Sequence, residues 1–178
     1  ARLKLLQSVE RKIAAKRDMI GKYRPWVDGI LSADKGVPDD IVATMMVWAI
    51  DIGDWPYALR IAAHMIGHDL EMPPRFTRTT ATLIAEEIAD AGLKTPPAAD
   101  LHVLLQADAL TSAQDMHDQL RAKLEKAIGL ALAEQVDNFD INAESAPAGG
   151  KQGLLQSAIG HLRRALALNR NAGVKKQI

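Results

Sequence analysis

Cysteine is absent from the 178 residues. Disulfides, thiolate nucleophiles, zinc ribbons and iron–sulfur ligation are therefore excluded, and nothing points to an oxidising compartment. No apolar run approaches the roughly 20 residues that a bilayer-spanning helix needs. No secretory apolar segment precedes a small-residue cleavage site. No membrane association is expected, and the cytoplasm is the expected location. Aromatic residues are scarce, at 4%, whereas Ala and Leu abound, which suits helices packed through small and unbranched side chains. No segment alternates polar and apolar residues between turn signals, so the expected fold is all-α with no sheet. Phosphate-cradling Gly loops with a Lys, Ser/His/Asp arrangements and nucleophile elbows are missing too, so ATP hydrolysis by this chain is not expected. The first residue is Ala rather than Met, which places the expected native start upstream.

What is present is a balanced composition with an unbalanced layout. Apolar residues make up 48% and charged residues 25%, the proportions of a folded domain that can bury its own core. Basic and acidic side chains number 22 each. They are not evenly spread. Residues 1–25 carry eight basic and two acidic side chains, residues 26–100 five and twelve, and the last eighteen residues five and none. Two basic ends around an acidic middle suit either polyanion binding through the ends or head-to-tail self-association.

Apolar spacing divides the chain into helices. Leu6, Val9, Ile13 and Ile20 fall on one stripe of a helix over 3–22, with Lys16 interrupting a heptad-like seam. Pro25 suits the first turn of a second helix reaching Ala33. Pro38, Asp39 and Asp40 open a longer helix through Ile41, Met45 and Ile52 that Gly53 ends. Asp54 caps the next, through Ala58, Ile61, Ala62 and Met65. Further helices are expected over Thr79–Ala91, Leu101–Ala109, Met116–Ala133 and Leu154–Leu168. The divisions are a basic N-terminal helix over 1–24, a helical core over 25–134, a flexible loop over 135–153, and a C-terminal helix with a basic tail over 154–178. Gly53 with Ala58-Leu59, and Gly153 with Ala158-Ile159, echo each other in spacing. The echo suggests helix hairpins of tetratricopeptide type, where small residues let helix axes approach.

Four stretches carry a resemblance: residues 23–31 (YRPWVDGIL), 47–59 (VWAIDIGDWPYAL), 78–93 (RTTATLIAEEIADAGL) and 161–176 (HLRRALALNRNAGVKK). From about Gln7 onward the chain resembles the small terminase subunit family of temperate, cohesive-end tailed phages, also called the terminase endonuclease subunit or protein M. The resemblance implies a homo-oligomer, often a ring, that recognises the packaging (cos) site on concatemeric double-stranded viral DNA. It further implies delivery of that DNA to a large ATP-hydrolysing terminase subunit for packaging into proheads. The setting would be the host cytoplasm, not the mature virion. The family label includes endonuclease activity, which would call for magnesium.

The residues offer candidate sites of unequal strength. Arg2, Lys4, Arg11, Lys12, Lys16, Arg17, Lys22 and Arg24 have the density of a phosphate-contacting surface; a solvated face beside an oligomerisation seam is the alternative. Arg163, Arg164, Arg170, Lys175 and Lys176 form a second basic patch for DNA or for the large subunit, or simply complement a helix C-terminus. No helix-turn-helix pattern is evident. Nuclease chemistry needs convergent carboxylates, and Glu86, Glu87 and Asp90 come nearest, although they equally fit a polar helix face. His64 and His68, one turn apart and followed by Asp69, could ligate a transition metal but lack a second ligand pair, so no metal site is expected. Trp26, Trp48 and Trp55 read as core or interface anchors, and Met45, Met46 and Met65 as core fillers. A magnesium-dependent endonuclease and a protein-only adaptor remain the alternatives to a DNA-recognition subunit.

Overall fold

The computed structural model describes residues 2–139 and 150–178, with the side chains of Arg2 and Lys4 outside that description. Among the described residues there are seven α-helices and no strand. After a short 3-10 turn, Arg2–Leu5, the helices are α1 (Val9–Ala33), α2 (Asp40–Ile52), α3 (Trp55–Gly67), α4 (Thr80–Gly92), α5 (Leu101–Thr111), α6 (Asp118–Asp137) and α7 (Gly150–Leu168). They belong to two compact units, Ala1–Ile84 and Ala85–Ile178, divided within α4. Of the loop expected over 135–153, residues 140–149 lie outside the described residues, while α6 and α7 occupy its flanks.

In the first unit, α1 packs on α2 and α2 on α3. Ser8 starts α1, its hydroxyl accepting from the Arg11 amide at 3.4 Å. One expectation fails here. The chain does not break into two helices at Pro25, which sits inside α1. Proline removes the amide that would bond the carbonyl four residues back, and its ring crowds that carbonyl. The residue four back is Gly21, with open space where a Cβ would stand, and both positions are exposed to water. The freed carbonyl can be hydrated there. Ile20 and Val27, buried on either side of Pro25, share the stripe that holds the helix together.

The α2–α3 corner follows its capping residues. Asp39 accepts from the amides of Ile41 (2.6 Å) and Val42 (3.0 Å). Gly53 closes α2 in the left-handed region at φ 76°, and Asp54 accepts from the Tyr57 amide at 3.3 Å to open α3. Met45, Met46, Ala49, Ala58, Ile61, Ala62 and Met65 fill the core between them. The three methionines are buried as expected. Trp26 is not a core anchor: it is 57% exposed and donates its indole N–H to Asp39 at 3.2 Å. Trp48 is half-buried and meets Tyr23 edge-on at 6.0 Å.

In the second unit, α6 and α7 form the most extensive pairing, and α5 lies against α6. Leu104, Leu124, Ile128 and Leu162 are fully buried. The close approach of α6 to α7 is made at Gly129, where a Cβ would stand 2.7 Å from Leu162 and 3.2 Å from the Ala158 carbonyl. The two glycines of the expected echo play unlike parts: Gly53 ends a helix, and Gly153 lies within α7. A polar chain crosses the packed helices. Arg121 donates to the Thr111 carbonyl and to Asp108 at 3.3 Å, and His161 on α7 hydrogen-bonds Glu125 on α6 at 2.7 Å. Beyond α7 the chain turns back: Val174 is fully buried, and Lys126 donates to the Ala172 carbonyl at 2.9 Å.

Candidate nucleic-acid interface

The cations of α1 divide into two sets. Lys16 pairs with Asp51, Arg17 donates to the Ile52 carbonyl at 3.4 Å, and Arg24 pairs with Asp54 while lying 4.1 Å over the Tyr57 ring. All three side chains reach the corner where α2 ends and α3 begins. There Arg17 meets the negative end of α2, and Arg24 holds the carboxylate that caps α3. They tie α1 to its neighbours. Arg11, Lys12 and Lys22 make no ion pair with another described residue. At about 100° per residue, Arg11 and Lys22 project from the side of α1 opposite Ile20 and Val27. These three are available to a polyanion.

Nearer the C-terminus, Arg163 and Arg164 on α7, and Arg170, Lys175 and Lys176 beyond it, are all exposed. None makes an ion pair with another described residue. The burial of Val174 and the Lys126 bond fix the backbone that carries the last of them. Only Arg163 and Arg164 lie within α7, so complementing the end of that helix does not account for all five positions.

The carboxylate candidates meet a cation instead of converging on an open site. Lys123 of α6 stands 3.0 Å from Asp90 and 3.8 Å from Glu86. An ammonium between two carboxylates offsets part of the negative charge that would draw a magnesium ion and stands where such an ion would sit. Glu87 also has interactions of its own within the fold.

The two histidines lie beside a carboxylate that their sequence pattern does not contain. Among the described residues, Asp34, His64 and His68 make a group able to hold a metal ion, with one donor atom from each all within 4.8 Å of one another. His68 Nε2 is 2.6 Å and His64 Nδ1 3.3 Å from Asp34 Oδ1. The hydrogen bond from His68, followed by that residue's charge, holds the Asp34 carboxyl below its ordinary 3.8. His64 is buried, and its Nε2 has no hydrogen-bond partner among the described residues. The Asp69 of the sequence pattern takes no part; the carboxylate beside the two rings is that of Asp34, at the end of α1.

A model of the phage small terminase subunit family matches residues 1–119. The chain belongs to that family. The terminase endonuclease subunit of Escherichia phage P2 is 38% identical over 99% of this chain. The chain spans 66% of that relative's length, just under two thirds. No solved structure matches. In this small-terminase chain the family match covers α1 to α5 and stops at the start of α6. The outward cations of α1 therefore lie inside the matched segment and the C-terminal cluster outside it. The basic residues are plain in the sequence, but those that brace the fold are not separable there from those facing solvent. Their partners, Asp51, Ile52 and Asp54, lie 30 or more residues away. Asp34 was missed for the same reason.

Proposed function

We propose that this chain serves phage DNA packaging as the DNA-gripping small subunit of a terminase. In the cytoplasm of the infected cell, it brings concatemeric DNA at the packaging site to a large ATP-hydrolysing partner. Family membership supports the setting. The observation that carries DNA contact is the set of eight cations without an ion-pair partner among the described residues: Arg11, Lys12 and Lys22 on α1, and the five from Arg163 to Lys176. Phosphate contacts of this kind release counterions and make binding steeply salt-dependent. Self-association fits the apolar stripe of α1. The stripe is buried at Ile20 and Val27 but open at its start, where Val9 is 70% exposed, and repeated subunits would multiply weak contacts on one duplex. In this reading the chain recognises DNA and its partner does the cutting, because Lys123 occupies the best carboxylate pair.

The test is fluorescence anisotropy with duplex DNA over a salt series. It compares the wild type with Arg11→Glu/Lys12→Glu/Lys22→Glu and with Arg163→Glu/Arg164→Glu/Lys175→Glu/Lys176→Glu. Each variant is expected to bind at least about tenfold more weakly, with the salt slope falling by about one for every phosphate no longer neutralised. The bracing residues Lys16, Arg17 and Arg24 are left intact, so helicity by circular dichroism should not change. Equal affinity in wild type and both variants would remove these surfaces from the mechanism.

A further inference from the structure

We propose that Asp34, His64 and His68 form a binding site for a divalent transition-metal ion of the zinc class, clipping the C-terminal end of α1 to α3. The site is built from the backbone upward. His64 and His68 are four residues apart on α3, so their rings share one face and stand with centroids 4.7 Å apart. Asp34 is the residue that ends α1, in the left-handed region at φ 48° and ψ 41°, and this bend places its carboxylate against both rings. The chain then turns through Gly36 at φ 61°, where a Cβ would lie 2.7 Å from His68 Nδ1. The connection from α1 to α2 thus lies against the far side of the His68 ring and leaves Nε2 as the nitrogen facing Asp34.

The donor set selects the ion. Two imidazoles and one carboxylate suit zinc, cobalt or nickel, whereas magnesium and calcium prefer oxygen throughout. Ligand bonds of about 2.0–2.2 Å in a tetrahedral site place donor atoms about 3.3 Å apart. The His64–Asp34 separation of 3.3 Å has that value already, and His68, at 2.6 Å, needs to draw back by less than one ångström. His64 presents Nδ1 to Asp34 and has no other hydrogen-bond partner among the described residues, so that nitrogen is not drawn to a competing group. Asp34 is exposed, and an open hollow of about 530 Å³ beside it is lined by Asp28, Ser32, Arg60 and His64 among others. A fourth, exchangeable ligand has room on that side. The Arg60 charge in the hollow is offset by its pairing with Asp28. This site is independent of the DNA-gripping reading and needs no DNA for its test.

The experiment uses the full chain without a polyhistidine tag, stripped with chelator and titrated with Zn²⁺ by calorimetry and with Co²⁺ by visible absorption. The expected result is one ion per chain, a Co²⁺ spectrum of low coordination number, and a rise in Tm with Zn²⁺ but not with Mg²⁺. Asp34→Asn keeps a residue that tolerates the left-handed region, and His68→Gln changes a partly exposed ring, so both variants should fold. Each should weaken Zn²⁺ binding at least about tenfold and abolish the Tm rise. Absence of binding by the wild type, or binding by either variant as tight as that of the wild type, overturns the proposal.

Discussion

Two glycines of the α6–α7 pair show how much one hydrogen atom matters when its surroundings differ. Gly129 faces Leu162 and the Ala158 carbonyl within 3.2 Å of where a Cβ would stand, and the carbonyl cannot rotate away. Gly129→Ala should therefore cost about 1–3 kcal/mol through overpacking, read as a lower Tm in thermal melts. Gly160, inside α7, has open space around it. Gly160→Ala should stabilise by up to about 1 kcal/mol, since alanine restricts the unfolded chain and favours helix. A residue-scale pH effect belongs to His161. The hydrogen bond to Glu125 raises its pKa above the ordinary 6.5, with burial opposing. A raised folded value means that its contribution is fully present below about pH 6.5 and fades as pH rises through the folded value. Melts of wild type and His161→Asn should differ by a few degrees in mild acid and converge in alkali. A gap that widens with pH would show the sign to be wrong.

At the scale of elements, capping chemistry explains which helices were readable in the sequence. Asp39, Gly53 and Asp54 each mark a boundary in the structure, because caps act within three residues and leave local signatures. Asp39→Ala removes a carboxylate that serves two amides of α2 and the Trp26 indole. It should destabilise the chain by about 1–2 kcal/mol, with Asp39→Asn recovering most of that stability in a denaturant titration. Where the local signal misled, tertiary packing had overridden it. Pro25 reads as a helix start, yet Ile20 and Val27 are buried on one stripe across it. Gly53 and Gly153 look alike in spacing, but the close helix approach is made by Gly129, which carries no mark in the sequence beyond being small. The candidate sites were legible in kind and illegible in grouping. Lysine and arginine density announced a basic surface, but the bracing role of Arg24 depends on Asp54, the neutralisation of Asp90 on Lys123, and the carboxylate beside the histidines on Asp34. Each partner lies 30 or more positions from its mate, beyond the reach of periodicity.

At the scale of the whole molecule, the exposed start of the α1 stripe bears on assembly. Val9 is 70% exposed, although it lies on the helical face that buries Ile20 and Val27 farther along. If copies of the chain cover this stripe for one another, Val9→Asp should lower the mass measured by light scattering while leaving helicity intact. Equal masses for wild type and variant would send the search for a subunit contact elsewhere. The basic end has a different consequence. Because Val174 is plugged into its own unit and Lys126 latches Ala172, Lys175 and Lys176 sit on a pegged knuckle, not on a swinging tether. Such a knuckle presents a fixed stencil of charge, so a duplex that docked there would rotate or bend to fit it, and pulling the peg with Val174→Asn would blur the stencil without changing the net charge.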